Sequence, residues 1–178
     1  MQNNRASKAE QSTRPRFARR AGLALIVILA GAWYIHDRYR IGIDDQVDSC
    51  LPPYRWFIID RWDRRIERYD LIAFRAIEPM QALFPQGQTV IKRVMGLPGD
   101  RVIVDEETIT INGWSAERRV CGLVLAPKLG HPPQHYIRNL IVPAGRYWVM
   151  GETDNSYDSR YWGTVGATDI IGQAHAVY

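Results

Sequence analysis

Two cysteines, Cys50 and Cys121, and four histidines are all that the 178 residues hold of the usual metal-binding and redox side chains. Two cysteines permit one disulfide in an oxidising compartment or leave two thiols, and the sequence leaves both open. Only His131 and His135 are closely spaced, and Pro132 and Pro133 between them forbid the helix that would put both rings on one face, which removes the zinc reading. A calcium loop starting at Asp154 fails as well: Ser159 stands where it needs glycine, and Val165 where it needs a bidentate glutamate. No metal and no cofactor are therefore expected. The chain also lacks internal repeats, and after its first apolar run it has no clear helical period.

Net positive charge is confined to one segment. The net charge is +4, but Arg5, Lys8, Arg14, Arg16, Arg19 and Arg20 against Glu10 make residues 1–20 carry +5, leaving −1 for the rest. Such a body offers no basic face for nucleic acid, and the tail reads as a cytoplasmic, positive-inside segment, with residues 1–18 expected to lack fixed structure.

What the chain does have is one uncharged run, Ala21 to Ile35, closing on Trp33 and Tyr34 where an interfacial aromatic belt would lie. Residues 21–36 are expected to be a retained transmembrane anchor; the alternative is a cleaved signal peptide, since Ala30-Gly31-Ala32 has the small-x-small form of a cleavage site. Either reading carries residues 37–178 across the membrane, in a bacterium into the periplasm, and the retained anchor makes the chain a single-pass inner-membrane protein.

The length suits one domain with a real core. Short alternating runs predict an all-β domain: strands at Arg55 to Asp60, Leu71 to Arg75, Arg101 to Asp105, Thr108 to Ile111, Arg146 to Met150 and Gly172 to Tyr178, with a hairpin turn at Asn112-Gly113. Asp37 to Asp48 reads as a polar connector, Arg61 to Arg68 as a solvated charged turn, and Ala76 to Gln88 as a loop or short helix. Residues 115–143 are weakly patterned and read as a flap or insertion. Pro52-Pro53 is expected to hold the segment after Ser49-Cys50-Leu51 extended.

The organising stretch runs from Val90 to Asp100. Period-2 alternation places Lys92 on the face of Val90 and Val94, with Ile91, Arg93 and Met95 on the other, so a lysine is aimed into apolar surroundings. Desolvation disfavours an ammonium ion and makes a buried lysine a candidate general base. Gly96, Pro98 and Gly99 then force a turn. Taken alone, this is also a hairpin with a snorkelling lysine.

Lys92 to Asp100 resembles the lysine box of the type I signal peptidases, membrane-anchored proteases with a Ser/Lys dyad. Met150 to Gly163 resembles their final conserved box, and Tyr69 to Phe74 the strand between nucleophile and lysine, in the family's order. Cys50-Leu51-Pro52 and the short chain look closest to the TraF branch of conjugative transfer systems. The resemblance implies that Ser156 hydrogen-bonds and orients Lys92, and that Asp158 and Arg160 form a supporting ion pair, joined by Arg93. The family pattern departs at Glu152 and Thr153, where an Asp-Asn pair is usual. For the nucleophile two residues stay open: Ser49, with Pro52, fits the Ser-x-x-Pro form, and Cys50 fits the TraF Ser-x-Pro form with a thiol for the hydroxyl. Neighbouring side chains on an extended segment point opposite ways, so only one can meet Lys92.

The function this implies is a membrane-anchored endopeptidase acting on exported precursor proteins, a pilin or another transfer-system component among them. The rival is a non-catalytic peptidase-fold envelope protein that serves as a binding module in pilus assembly. A self-cleaving repressor of the related Ser/Lys fold is disfavoured, because the chain opens on an apolar anchor instead of a DNA-binding domain.

Overall fold

The computed structural model describes residues 3–44, 49–115 and 122–177, with side chains from Phe17 onward. It divides into two compact units, Met1–Arg38 and Tyr39–Tyr178. The first is helix α1, Asn3–Arg38. The helix begins well inside the tail expected to lack structure, because Ala6, Lys8, Ala9, Glu10, Gln11 and Arg14 are strong helix formers and lengthening an existing helix avoids the cost of a new nucleus. Phe17–Arg38, 22 residues, is apolar enough to cross a membrane. At 1.5 Å per residue it spans roughly 33 Å, close to a bilayer's hydrocarbon thickness.

The second unit is built of antiparallel strands. In chain order they are β1 (Tyr39–Ile43), β2 (Trp56–Asp60), β3 (Leu71–Arg75), β4 (Thr89–Gly96), β5 (Arg101–Val104), β6 (Ile109–Ile111), β7 (Trp114–Ser115), β8 (Arg138–Ile141), β9 (Arg146–Met150), β10 (Val165–Gly166) and β11 (Ile170–Ala176), with a one-turn helix α2 (Ser159–Trp162) before β10. A seven-stranded sheet runs β1-β2-β11-β3-β4-β9-β10, and a four-stranded sheet runs β7-β6-β5-β8. The all-β expectation with one N-terminal apolar helix holds. At the Asn112-Gly113 turn both residues have positive φ, 53° and 80°, as a tight hairpin turn requires.

Three readings are corrected. The polar connector contains a strand, β1, paired with β2 through Ile41↔Ile58 and Ile43↔Trp56. In this strand Ile41 and Ile43 are exposed while Gly42 faces inward. A Cβ there would come within 3.0 Å of Ile91 Cδ1, so the inner position is the one without a side chain. Within residues 115–143, β8 pairs with β5, where contacts with a strand nearly forty residues earlier override a weak local pattern. The turn before β3 is not wholly solvated: Arg68 reaches Asp100 Oδ2 at 2.8 Å and bonds the Met95 carbonyl.

Strand β4 alternates as expected, with Val90, Lys92, Val94 and Gly96 buried. It lies between two apolar clusters. The larger, including Val94, Val102, Ile109 and Trp148, fills the side to which Lys92 points. The smaller, Leu51, Phe57, Ile59, Leu71, Ala73 and Ala174, packs on the other side with Ile91. The strand that carries the lysine is thus clamped on both faces.

Candidate active site

Lys92 is 1% exposed, and its Nζ donates to Ser156 Oγ at 2.9 Å across 64 positions of sequence. An exposed lysine would sample many rotamers; this one is held by the core along its stem and by one hydrogen bond at its tip. Ser156 sits in a tight loop, where a Cβ on Gly151 would stand only 2.2 Å from its Oγ and 3.0 Å from the Cys50 carbonyl oxygen. Glycine at 151 is what lets the Cys50 segment and the Ser156 loop approach each other. The Cys50 carbonyl accepts from Glu152 N at 2.7 Å, closing that approach.

Behind Ser156 lies the Asp158–Arg160 pair, both residues 0% exposed, with Nε–Oδ1 at 2.8 Å. Arg160 Nη2 also donates to the Ser156 carbonyl at 3.0 Å and Nη1 to the Gly122 carbonyl at 2.9 Å. Asp158 caps α2 by accepting from Arg160 N and accepts from Gly151 N at 3.1 Å. The pair therefore ties together the glycine and serine that meet Lys92. Burial pushes the Asp158 carboxyl upward, but the Arg160 guanidinium, its hydrogen bonds and the Lys92 charge outweigh this and hold it below the ordinary 3.8.

A consequence follows for stability. The folded value lies below the unfolded one, so the carboxylate contributes stability above the unfolded value and loses it as the pH falls through the folded value. Arg160→Met alone leaves a buried, uncompensated carboxylate and is expected to cost about 3–5 kcal/mol, a fall in Tm of roughly 10 °C for a domain of this size. Melting of wild type and of an Asp158→Asn/Arg160→Met double variant between pH 3 and 7 checks it: the acid-side loss should be smaller in the double variant. Equal pH slopes in the two would rule the assignment out.

Arg93 does not join this pair. It faces away from Lys92, as alternation requires, with Nε 2.7 Å from Glu152 Oε1 and Nη1 2.7 Å from the Tyr69 carbonyl. Glu152, one of the two departures from the family pattern, thereby finds its own partner. Sequence reading passed over Gly151, whose role appears only when two distant segments meet. It also passed over the Asp100 anchor of the lysine turn, which accepts from Leu97 N, Asn112 Nδ2 and Arg68.

The segment with the two nucleophile candidates turns instead of running extended: Tyr54 N bonds the Leu51 carbonyl at 3.0 Å across Pro52-Pro53. Prolines have no N–H for a ladder and suit a turn's fixed φ. Leu51 is buried in the smaller cluster. Ser49 donates to Asp44 Oδ2 at 2.8 Å and accepts from Leu51 N at 3.3 Å. Cys50 and Lys92 both line a cleft of about 490 Å³ floored by β1 and β4, whose lining does not include Ser49. Cys121 lies outside the described residues.

Comparison with known proteins gives a family model described as signal peptidase, peptidase S26, matching residues 15–178. Signal peptidase I of Leptolyngbya laminosa is 36% identical over 109 residues, covering 60% of this chain and 50% of that protein. Signal peptidase I of Pseudomonas fluorescens is 33% identical over 147 residues, covering 63% and 49%. The chain spans about half the length of the curated relatives it matches. A solved signal peptidase I from Enterococcus faecalis V583 aligns at 30% identity and a TM-score of 0.41, over 62% of this chain and 97% of that one.

Proposed function

Because this chain belongs to the signal peptidase family, peptidase S26, we propose that it is a membrane-anchored endopeptidase that cleaves exported precursor proteins with Lys92 as general base. The observation that carries this reading is a fully buried lysine whose Nζ is oriented at 2.9 Å by Ser156, on a cleft that Cys50 also lines. Peptide hydrolysis by a dyad needs an amine aimed and held beside a thiol or hydroxyl. Ser156, Asp158 and Arg160 position the lysine, and Arg93 supports the loop through Glu152. Cys50 is the favoured nucleophile and Ser49 the alternative.

The finer reading follows the Cys50-Leu51-Pro52 resemblance to the TraF branch: the substrate is a pilin or another exported component of a conjugative transfer system. The test is incubation of the detergent-solubilised protein, with and without reductant, with the pilin precursor encoded beside it. One shortened product of defined new N-terminus is expected. An intact precursor under both conditions, with other exported precursors equally untouched, would favour the non-catalytic binding module instead.

The anchor reading puts residues 1–20 in the cytoplasm and 37–178 in the periplasm of a bacterial inner membrane, supported by the basic tail and by Trp33 and Tyr34 near the far end of the apolar span. Protease added to spheroplasts is expected to digest the C-terminal domain and spare the tail. A mature protein beginning at Trp33 would identify a cleaved signal peptide.

A further inference from the structure

Two exposed isoleucines have no part in the proteolytic reading. Ile41 and Ile43, on edge strand β1, are 72% and 58% exposed, and both line the cleft that holds Cys50 and Lys92. The register fixes the side of the sheet they occupy. Ile41 is opposite Ile58, and Asp60 of the same strand is opposite Gln173; Gln173 is opposite Ile72, and Ile72 opposite Lys92. Residues two apart on a strand share a face. Ile41 and Ile43 therefore stand on the side of Lys92 and Val90, while Gly42 stands with Phe57, Ile59 and Ile91 on the other.

Phe84 adds a third apolar wall on the Lys92 side. It lines the cleft and packs in the larger cluster with Val90. Its ring centroid lies 5.9 Å from that of Tyr157, whose hydroxyl donates to the Pro79 carbonyl at 3.1 Å and so holds the 76–88 loop in place. The two sides differ in room. On the inner side a Cβ at Gly42 would already stand 3.0 Å from Ile91 Cδ1; on the outer side the two isoleucines are open to solvent.

The backbone edges that flank the cleft are open as well. Val94 N bonds the Asp70 carbonyl and Ala76 N bonds the Gln88 carbonyl, so the even-numbered residues of β4 face β3, and Thr89 and Ile91 turn their N–H and C=O groups to the other edge. Strand β9 joins β4 only from Arg93 onward, and β1 pairs with β2 alone. A peptide entering between these edges runs extended, and its side chains alternate between the two sides of the cleft.

We propose that Ile41, Ile43 and Phe84 form a specificity-determining subsite for an apolar side chain of the bound peptide, at the positions that point to the Lys92 side. This rests on the reading of the cleft as a peptide site. A leucine there covers apolar surface that water otherwise wets, whereas an asparagine of similar size gives up its hydration against three apolar walls.

The test uses the full-length protein in neutral detergent and short Ala/Ser peptides carrying an uncharged dye, with one Leu walked along the chain and Asn, Lys and Phe counterparts at each position. Binding is followed by anisotropy against a protein-free micelle baseline, and cleavage by mass spectrometry. At the favoured position the Leu peptide is expected to bind about fivefold more tightly than its Asn counterpart. Ile41→Glu/Ile43→Glu changes two exposed side chains, so it should melt with wild type, lose the Leu preference and bind the Lys peptide ahead of the Leu one. Phe84→Ala should shift the preference from Leu towards Phe, a ratio within one variant from which the folded fraction cancels. Equal affinities for Leu and Asn peptides at every position, a Leu preference unchanged in Ile41→Glu/Ile43→Glu, or a Phe-to-Leu ratio unmoved by Phe84→Ala, overturn the proposal. Peptides bound in the expected order but never cut would sink the peptidase reading and leave this one standing; peptides cut without any apolar preference do the reverse.

Discussion

Replacing Lys92 with arginine is expected to abolish precursor cleavage, a loss of about a thousandfold or more in kcat/KM, within the range that general-base groups contribute together with nucleophile activation. Arginine keeps the charge and much of the length, so a purely electrostatic or structural role would survive the change in part. A base role would not, because a guanidinium does not give up its proton in a protein. Misfolding has to be separated from loss of chemistry, since the site is fully buried and a bulkier head group strains it. Lys92→Met supplies the control: it nearly conserves volume, removes the buried amine, and is expected to melt close to wild type while remaining inactive. Cleavage by Lys92→Arg within tenfold of wild type would end the dyad assignment.

The second large effect concerns the residue that attacks. Cys50→Ala is expected to lower cleavage by about a thousandfold, whereas Ser49→Ala should keep most of it. Ser49's hydroxyl is engaged with Asp44 Oδ2 and with Leu51 N, a side chain-to-backbone bond that shapes the turn. Removing it loosens the segment, and a fall of only a few-fold fits the loss of one such part-buried bond. A thiol ionises more readily than a hydroxyl and suits an amine base, so Cys50→Ser should fall below wild type, yet, keeping a nucleophilic hydroxyl, stay above Cys50→Ala. Each variant is assayed with and without reductant, because a Cys50–Cys121 disulfide would silence the thiol reversibly. Normal cleavage by Cys50→Ala with a dead Ser49→Ala reverses the assignment; indifference to both points to the non-catalytic relative.

Much of this architecture is legible in the chain. Lys92 falls on the buried face of β4 because alternation is a local property: once Val90 and Val94 must be inside, so must the residue between them. The bounds of β3 and β9 match the reading residue for residue, and the Asn112-Gly113 turn forms where the sequence places it. Where local pattern and tertiary contact disagree, the reading fails. Gly42 faces inward because Ile91 from a distant strand fills the space a side chain would need, and no period in Tyr39 to Ile43 announces that.

The site divides along the same line. Sequence by itself determined a lysine aimed into the core and an apolar helix ahead of an all-β domain, from patterns local to each stretch, and the family resemblance narrowed the nucleophile to Ser49 or Cys50. The resemblance implied that Ser156 meets Lys92 and that Asp158 pairs with Arg160, as the structure has them; only the tertiary structure decided that Arg160 also serves Ser156 and Gly122 while Arg93 turns to Glu152, and that Cys50 and not Ser49 lines the cleft. Those outcomes depend on which loops meet across the sheet, and a meeting of distant segments leaves no period in either one.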